Sequence, residues 1–148
     1  MNSMPTPDYA QLPETLRPLL NKFYRAHNSP MRSASDGQLW VARQGEIIGG
    51  LSLTPVAQGH WLTGLFVAPP QRGQGIAAQL LQEALGDCNG PVWLFCHPDL
   101  RGFYERQGFH SDPTLPLPLA DRLARYSRNK PMIALGIEPL VRSTAQNV

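Results

Sequence analysis

The spacing of apolar positions divides the chain into helical and extended stretches. Leu16, Leu19, Leu20 and Phe23 share one side of a helix over residues 13–26, whose start Pro18 delays or bends. Residues 39–43 and 46–53 are strand-like, and Gln44-Gly45 between them predicts a hairpin. A loop over 54–59 leads to a third strand over 60–67, which completes an antiparallel meander. Leu65, Phe66 and Val67 close that strand, and Pro69-Pro70 cannot continue a ladder. Ile76, Leu80, Leu81, Ala84 and Leu85 then form a helical stripe over 75–85. Residues 92–96 are continuously apolar, the pattern of a central strand. The strand–helix–strand crossover makes that strand parallel to the one before the helix. A short helix over 99–107, capped by Asp99 and ended by Gly108, leads to an extended piece at Phe109. A proline-laced loop over 112–118, a helix over 119–127 and a last strand over 132–137 follow. Residues 1–10 and 140–148 read as loose tails, and too few residues precede Pro13 for a convincing opening strand. The expected fold class is α/β, a mixed sheet in one domain over 1–148.

Chemistry gathers where the third strand meets the helix. No Ser, Thr, Asp or Asn stands at that helix start, so its first N–H groups lack a side-chain partner. Gly73 and Gly75 leave the backbone bare, and Arg72 adds positive charge. Such a start suits a phosphate. The bland alternative is an ordinary turn whose amides are met by water. The agreement of strand, arginine and helix stripe favours the phosphate. A Walker loop would need Gly-Lys-Ser/Thr, which is absent. Gly73-x-Gly75-x-x-Ala78 fits the dinucleotide fingerprint, with Asp99 at a plausible distance for a ribose contact. Five residues separate Val67 from Gly73, two of them proline, and that fingerprint belongs in a tighter turn.

Length and composition narrow the class. A chain of 148 residues supports one sizeable core. No run reaches the length of a membrane span, and no charged-then-apolar leader is visible. Cys88 and Cys96 give neither a disulfide framework nor metal spacing, so a reduced, cytoplasmic protein is expected. A net charge of +2 does not announce nucleic acid.

Arg72-x-x-Gly75-x-Ala77 resembles the R/Q-x-x-G-x-G/A signature of the GNAT N-acetyltransferase family. A second stretch, Phe103-Tyr104-Glu105-Arg106-Gln107-Gly108-Phe109, is similar to that family's F/L-Y-E-x-x-G-F. Two motifs in the right order form a specific signal, and the matching element order covers roughly residues 12–137. The resemblance implies a GNAT-like fold, in which the meander leads into a parallel strand pair splayed around the acyl-CoA loop. It implies acetyl-CoA as cosubstrate. Leu65, Phe66 and Val67 would pair with the pantetheine arm. Arg72, Gly73, Gln74, Gly75, Ile76 and Ala77 would hold the pyrophosphate, chiefly through backbone N–H groups. The Val67 N–H would face the thioester oxygen. A primary amine, on a small molecule or a protein, would attack directly, and Tyr104 would protonate the leaving thiolate.

The chain also departs from the family pattern. Many relatives place a glutamate base where this chain has Thr63, and an asparagine where it has His97. His97 is therefore a candidate base acting through water, with a loop cap as its structural alternative. His60 is more remote as a base, and Cys96 reads as core. For Tyr104 the alternative is a buried ring whose hydroxyl bonds backbone. Other readings stay open at this point: a non-catalytic acyl-CoA-binding module, a toxin-like acetyltransferase of aminoacyl-tRNA, and the dinucleotide fold. A membrane is not expected as a partner, and a homodimer is compatible with the reading.

Overall fold

The computed structural model describes residues 6–138. It contains seven strands and four α-helices: β1 (Asp8–Leu12), α1 (Arg17–Ala26), β2 (Gln38–Gln44), β3 (Glu46–Val56), β4 (Gly59–Val67), α2 (Ile76–Gly86), β5 (Val92–Cys96), α3 (Arg101–Arg106), β6 (His110–Ser111), α4 (Leu117–Tyr126) and β7 (Ile133–Ile137). The strands form one mixed sheet in the order β1-β2-β3-β4-β5-β7-β6, with β4 and β5 parallel. Contacts group the chain into two compact units. One takes the described part of Met1–Thr54 together with Leu62–Asp87; the other takes Pro55–Trp61 and the described part of Cys88–Val148.

In the first unit the period-two alternation of the strands sorts two cores. Leu39 and Val41 of β2, with Phe66 and Ala68 near the end of β4, pack with Leu20, Phe23 and Tyr24 of α1. Ala42, Ile48 and Val67 pack instead with Ile76 and Ala77 of α2. β4 therefore ends with Phe66 packed with α1 and Val67 packed with α2. The hairpin turns at Gly45, whose φ of +84° suits glycine.

The expected helix over 13–26 begins as a short 3-10 turn at Glu14–Leu16, and Pro18 stands in the first turn of α1. Leu16 and Leu19 are exposed, while Tyr24 joins Leu20 and Phe23 in the core. The buried set is the i, i+3, i+4 face. The connector after α1 is tied down by polar contacts. The Ser33 amide donates to Asn21 Oδ1 at 2.8 Å, and the Ala34 amide donates to Ser52 Oγ at 3.1 Å. Arg17 donates to the Ala34 carbonyl.

Three expectations are corrected. An opening strand does exist: β1 pairs antiparallel with β2 from Asp8↔Arg43 to Leu12↔Leu39. The loop expected over 54–59 shrinks to a turn at Ala57 and Gln58, because β3 runs on to Val56. α4 starts at Leu117 rather than 119, with Pro118 in its first turn, where a missing N–H costs nothing.

In the second unit β7 pairs antiparallel with both β5 and β6. Gly59 opens β4 where a Cβ would collide with the Pro91 carbonyl, and the His60 amide donates to that carbonyl at 2.9 Å. Trp61 stacks near Phe95 at 5.4 Å between centroids, and Arg122 of α4 lies 4.6 Å over the Trp61 ring. No described helix is long and apolar enough to cross a membrane.

Candidate functional site

The segment after β4 is built from the backbone up. The Ala68 amide still donates to Ile48 at 2.8 Å, so pairing with β3 reaches one residue past the strand. Pro69–Gln71 then forms a 3-10 turn, closed by Arg72 N donating to Pro69 O at 3.2 Å. Gly73 and Gly75 follow with φ of +82° and +78°. A Cβ placed at either would meet no atom within 4 Å, so these glycines answer to backbone conformation and to open space in front of it.

Gly75 is the N-cap of α2 and no side chain caps it. The first amide bonded into the helix is Gln79, which donates to Gly75 O at 3.0 Å. The amides of Ile76, Ala77 and Ala78 precede it without an intrahelical acceptor. The Ile76 side chain is buried and anchors the helix, while Gly73, Gln74 and Gly75 are exposed. The helix dipole adds about half a positive charge at this end.

Arg72 is held on two sides. Its Nε donates to the Val67 carbonyl at 2.9 Å, and its guanidinium lies 5.0 Å over the Phe66 ring. Phe66 packs in turn on Phe23 and Tyr24. Arg72 is exposed, and these two contacts leave its remaining N–H groups available to an anion. Of the residues expected from sequence to meet an anion, 72–75 are exposed, the Ile76 side chain is buried and Ala77 is half-buried; Leu65, Phe66 and Val67 precede them on β4. An open cavity of about 380 Å³ lies elsewhere in this unit, lined by Leu19, Lys22, His27, Arg43 and Glu46 among others. None of the residues expected to hold acetyl-CoA lines it, nor does Tyr104 or His97.

In the second unit, Tyr104 is 7% exposed and its ring meets Phe103 and Phe109 at 5.0 and 5.7 Å. Its hydroxyl makes no hydrogen bond among the described residues and is not among the fully enclosed polar atoms. The alternative of a hydroxyl bonded to backbone therefore does not hold. Burial, and to a lesser degree the Cys96 thiol, push its pKa above the ordinary tyrosine value. The hydroxyl therefore stays protonated throughout the neutral range. Cys96 is buried, as expected for a core residue, and burial raises its thiol as well.

His97 caps the 3-10 turn Pro98–Leu100: its Nδ1 accepts from the Asp99 amide at 3.0 Å. Asp99, expected as the cap, is instead the capped residue. While Nδ1 accepts from that amide, the proton of neutral His97 is on Nε2; the same Nδ1 lies 3.5 Å from Asp99 Oδ2, which would face a proton on Nδ1. That tautomer gives up the cap if Nδ1 is to take a proton, and it offers no lone pair at Nε2. Among the described residues no cluster of His, Cys, Asp and Glu could hold a metal.

The sequence reading missed Tyr24 and Gly64. Gly64 sits inside β4 with φ of +73°, and the Tyr24 hydroxyl donates to its carbonyl at 2.7 Å. A lone glycine within a strand pattern was the available signal, since it marks a bulge or a close approach.

The acetyltransferase (GNAT) domain model matches residues 35–111. No curated protein matches the chain. Among solved structures, the ribosomal-protein-S18-alanine N-acetyltransferase of Escherichia coli aligns over 90% of this chain and 94% of its own, at 15% identity and a TM-score of 0.68. An acyl-CoA N-acyltransferase of Pseudomonas aeruginosa aligns over 89% of this chain and 99% of its own, at 19% identity and a TM-score of 0.62. A GNAT family N-acetyltransferase of Escherichia coli in complex with CoA aligns over 93% and 85%, at 19% identity and a TM-score of 0.63.

Proposed function

Since the chain belongs to the GNAT acetyltransferase family and is an acyl-CoA-dependent N-acyltransferase, we propose that it transfers the acetyl group of acetyl-CoA to a primary amine by direct attack. The observation that carries the donor is the uncapped start of α2, with Gly73 and Gly75 in left-handed conformation and Arg72 braced beside them. The pyrophosphate accepts from the amides following Gly75 and from the Arg72 guanidinium. Leu65, Phe66 and Val67 run along the pantetheine arm. The Val67 N–H polarises the thioester carbonyl, while its carbonyl keeps the bond to Arg72 and has a second lone pair for the arm.

The amine nitrogen forms a bond to the thioester carbon, and the tetrahedral intermediate then expels the thiolate. Tyr104 donates its proton to that sulfur and recovers one from solvent; its unpartnered hydroxyl supports the role, and burial keeps it protonated until the thiolate departs. The ammonium proton leaves to water, because position 63 is threonine and Nδ1 of His97 caps a turn. A coenzyme A complex of one structural neighbour is consistent with this donor. The acceptor is an amine on a small molecule or a protein.

Calorimetry with CoA tests the loop. Gly75→Glu sets a carboxylate where the pyrophosphate accepts its hydrogen bonds, and Gly75→Ala is the control for the strain of a Cβ at positive φ. That strain costs about 1–2 kcal/mol, and the new charge at the helix N-terminus returns about 0.3–1 kcal/mol. The fold therefore survives both changes. CoA binding is expected to be lost in Gly75→Glu and retained in Gly75→Ala; equal affinity in both would remove the loop from the site.

A further inference from the structure

Gly64 is a left-handed residue in the interior of β4, with φ of +73°. Such a residue reorients the peptide groups around it and breaks the regular ladder. Helix α1 reaches this point through one side chain. Tyr24 is 0% exposed, and its hydroxyl donates to the Gly64 carbonyl at 2.7 Å across forty residues of sequence. Its ring is fixed by Phe23 at 5.8 Å and Phe66 at 6.3 Å. The fit is close, since a Cβ on Gly64 would stand 2.7 Å from the Tyr24 hydroxyl oxygen. The next three residues along the strand are Leu65, Phe66 and Val67, and Phe66 carries the Arg72 guanidinium on its ring.

We propose that Tyr24 is a positioning residue for acyl transfer. Its hydroxyl holds Gly64 in the left-handed conformation and so sets the direction of the Leu65, Phe66 and Val67 backbone toward the thioester. The role rests on the acyl-CoA reading given above. It needs no proton movement, because burial keeps this hydroxyl protonated. The residue acts through β4, and touches neither donor nor acceptor.

Tyr24→Phe keeps the ring and its packing and removes the bond. Thiol release from acetyl-CoA, measured with whichever amine of a panel the unmodified protein uses fastest, is expected to slow about tenfold. CoA affinity by calorimetry is expected to fall by less than turnover, because the amides that follow Gly75 supply pyrophosphate contacts that the direction of residues 65–67 does not change. Amide exchange at 64–67 in the free protein is expected to quicken. Gly64→Ala attacks the same contact from the other side and should give the same split between turnover and affinity. The double variant should lose less than the product of the two single losses, because the 2.7 Å contact no longer exists in it. Full turnover in a folded Tyr24→Phe overturns the proposal, as do losses that simply multiply or a turnover loss matched by lost CoA affinity. An unmodified protein that neither binds CoA nor releases thiol overturns the acyl-CoA reading itself, and the positioning role with it.

Discussion

Tyr24 and Tyr104 both bury their rings, yet their hydroxyls have different fates. Tyr24 donates to a backbone carbonyl, whereas Tyr104 has no partner among the described residues. An unpartnered hydroxyl is what a general acid requires before substrate arrives. Tyr104→Phe therefore orphans nothing and should leave the melting temperature nearly unchanged. It should lower kcat by about 10²-fold, the low end of general acid–base contributions. The effect is moderate because a coenzyme A thiol, like cysteine, has a pKa of about 8.5 and is a fair leaving group unaided. A fully active Tyr104→Phe, measured beside its melting curve, would take the residue out of the mechanism. The same two side chains also set an alkaline limit on stability. Burial raises both folded-state pKa values above that of an unfolded tyrosine, about 10. Above that pH the unfolded chain holds fewer protons than the native one, so stability falls as pH rises. It is fully present below pH about 10 and is lost progressively above it. Urea midpoints between pH 9 and 11 should fall less steeply in Tyr24→Phe and Tyr104→Phe than in the unmodified protein. Parallel declines would contradict the shifts.

At the level of elements, legibility followed the burial of side chains. α2 and β5 carry dense apolar patterns, and their expected limits agree with the structure to within a residue. The uncapped start of α2 was readable for the same reason that it is open: no capping side chain stands at Gly75. β1 was not readable. Only Leu12 of its five residues is buried, so backbone pairing with β2, not side-chain alternation, makes it a strand. α3 misled through its cap. Asp99 has the usual capping side chain, but Pro98 starts the turn a residue earlier and hands the cap to His97. The bond from Tyr24 to Gly64 was hidden because it joins residues on separate elements, and periodicity carries no information about such a pair. Of the tails expected over 1–10 and 140–148, residues 1–5 and 140–148 lie outside the described part of the chain, while residues 8–10 belong to β1.

Taken as a whole molecule, the chain builds its candidate site from backbone geometry more than from side-chain chemistry. The family-model match, residues 35–111, includes both the loop at 72–77 and Tyr104. β4 stands fourth of the seven strands in the sheet order, and the loop leaves from its end. In the proposed mechanism, with threonine at position 63 and His97 capping a turn, the amine gives its proton to water before it attacks. Turnover should accordingly rise with pH through the basic range, without a falling limb from Tyr104 below pH about 10. The most direct measurement is thiol release from acetyl-CoA by the unmodified protein, with and without a panel of primary amines, across pH 7 to 10. The account predicts release that depends on one or more amines, climbs with pH and yields the N-acetylated amine. CoA binding with no amine-dependent release at any pH would contradict it.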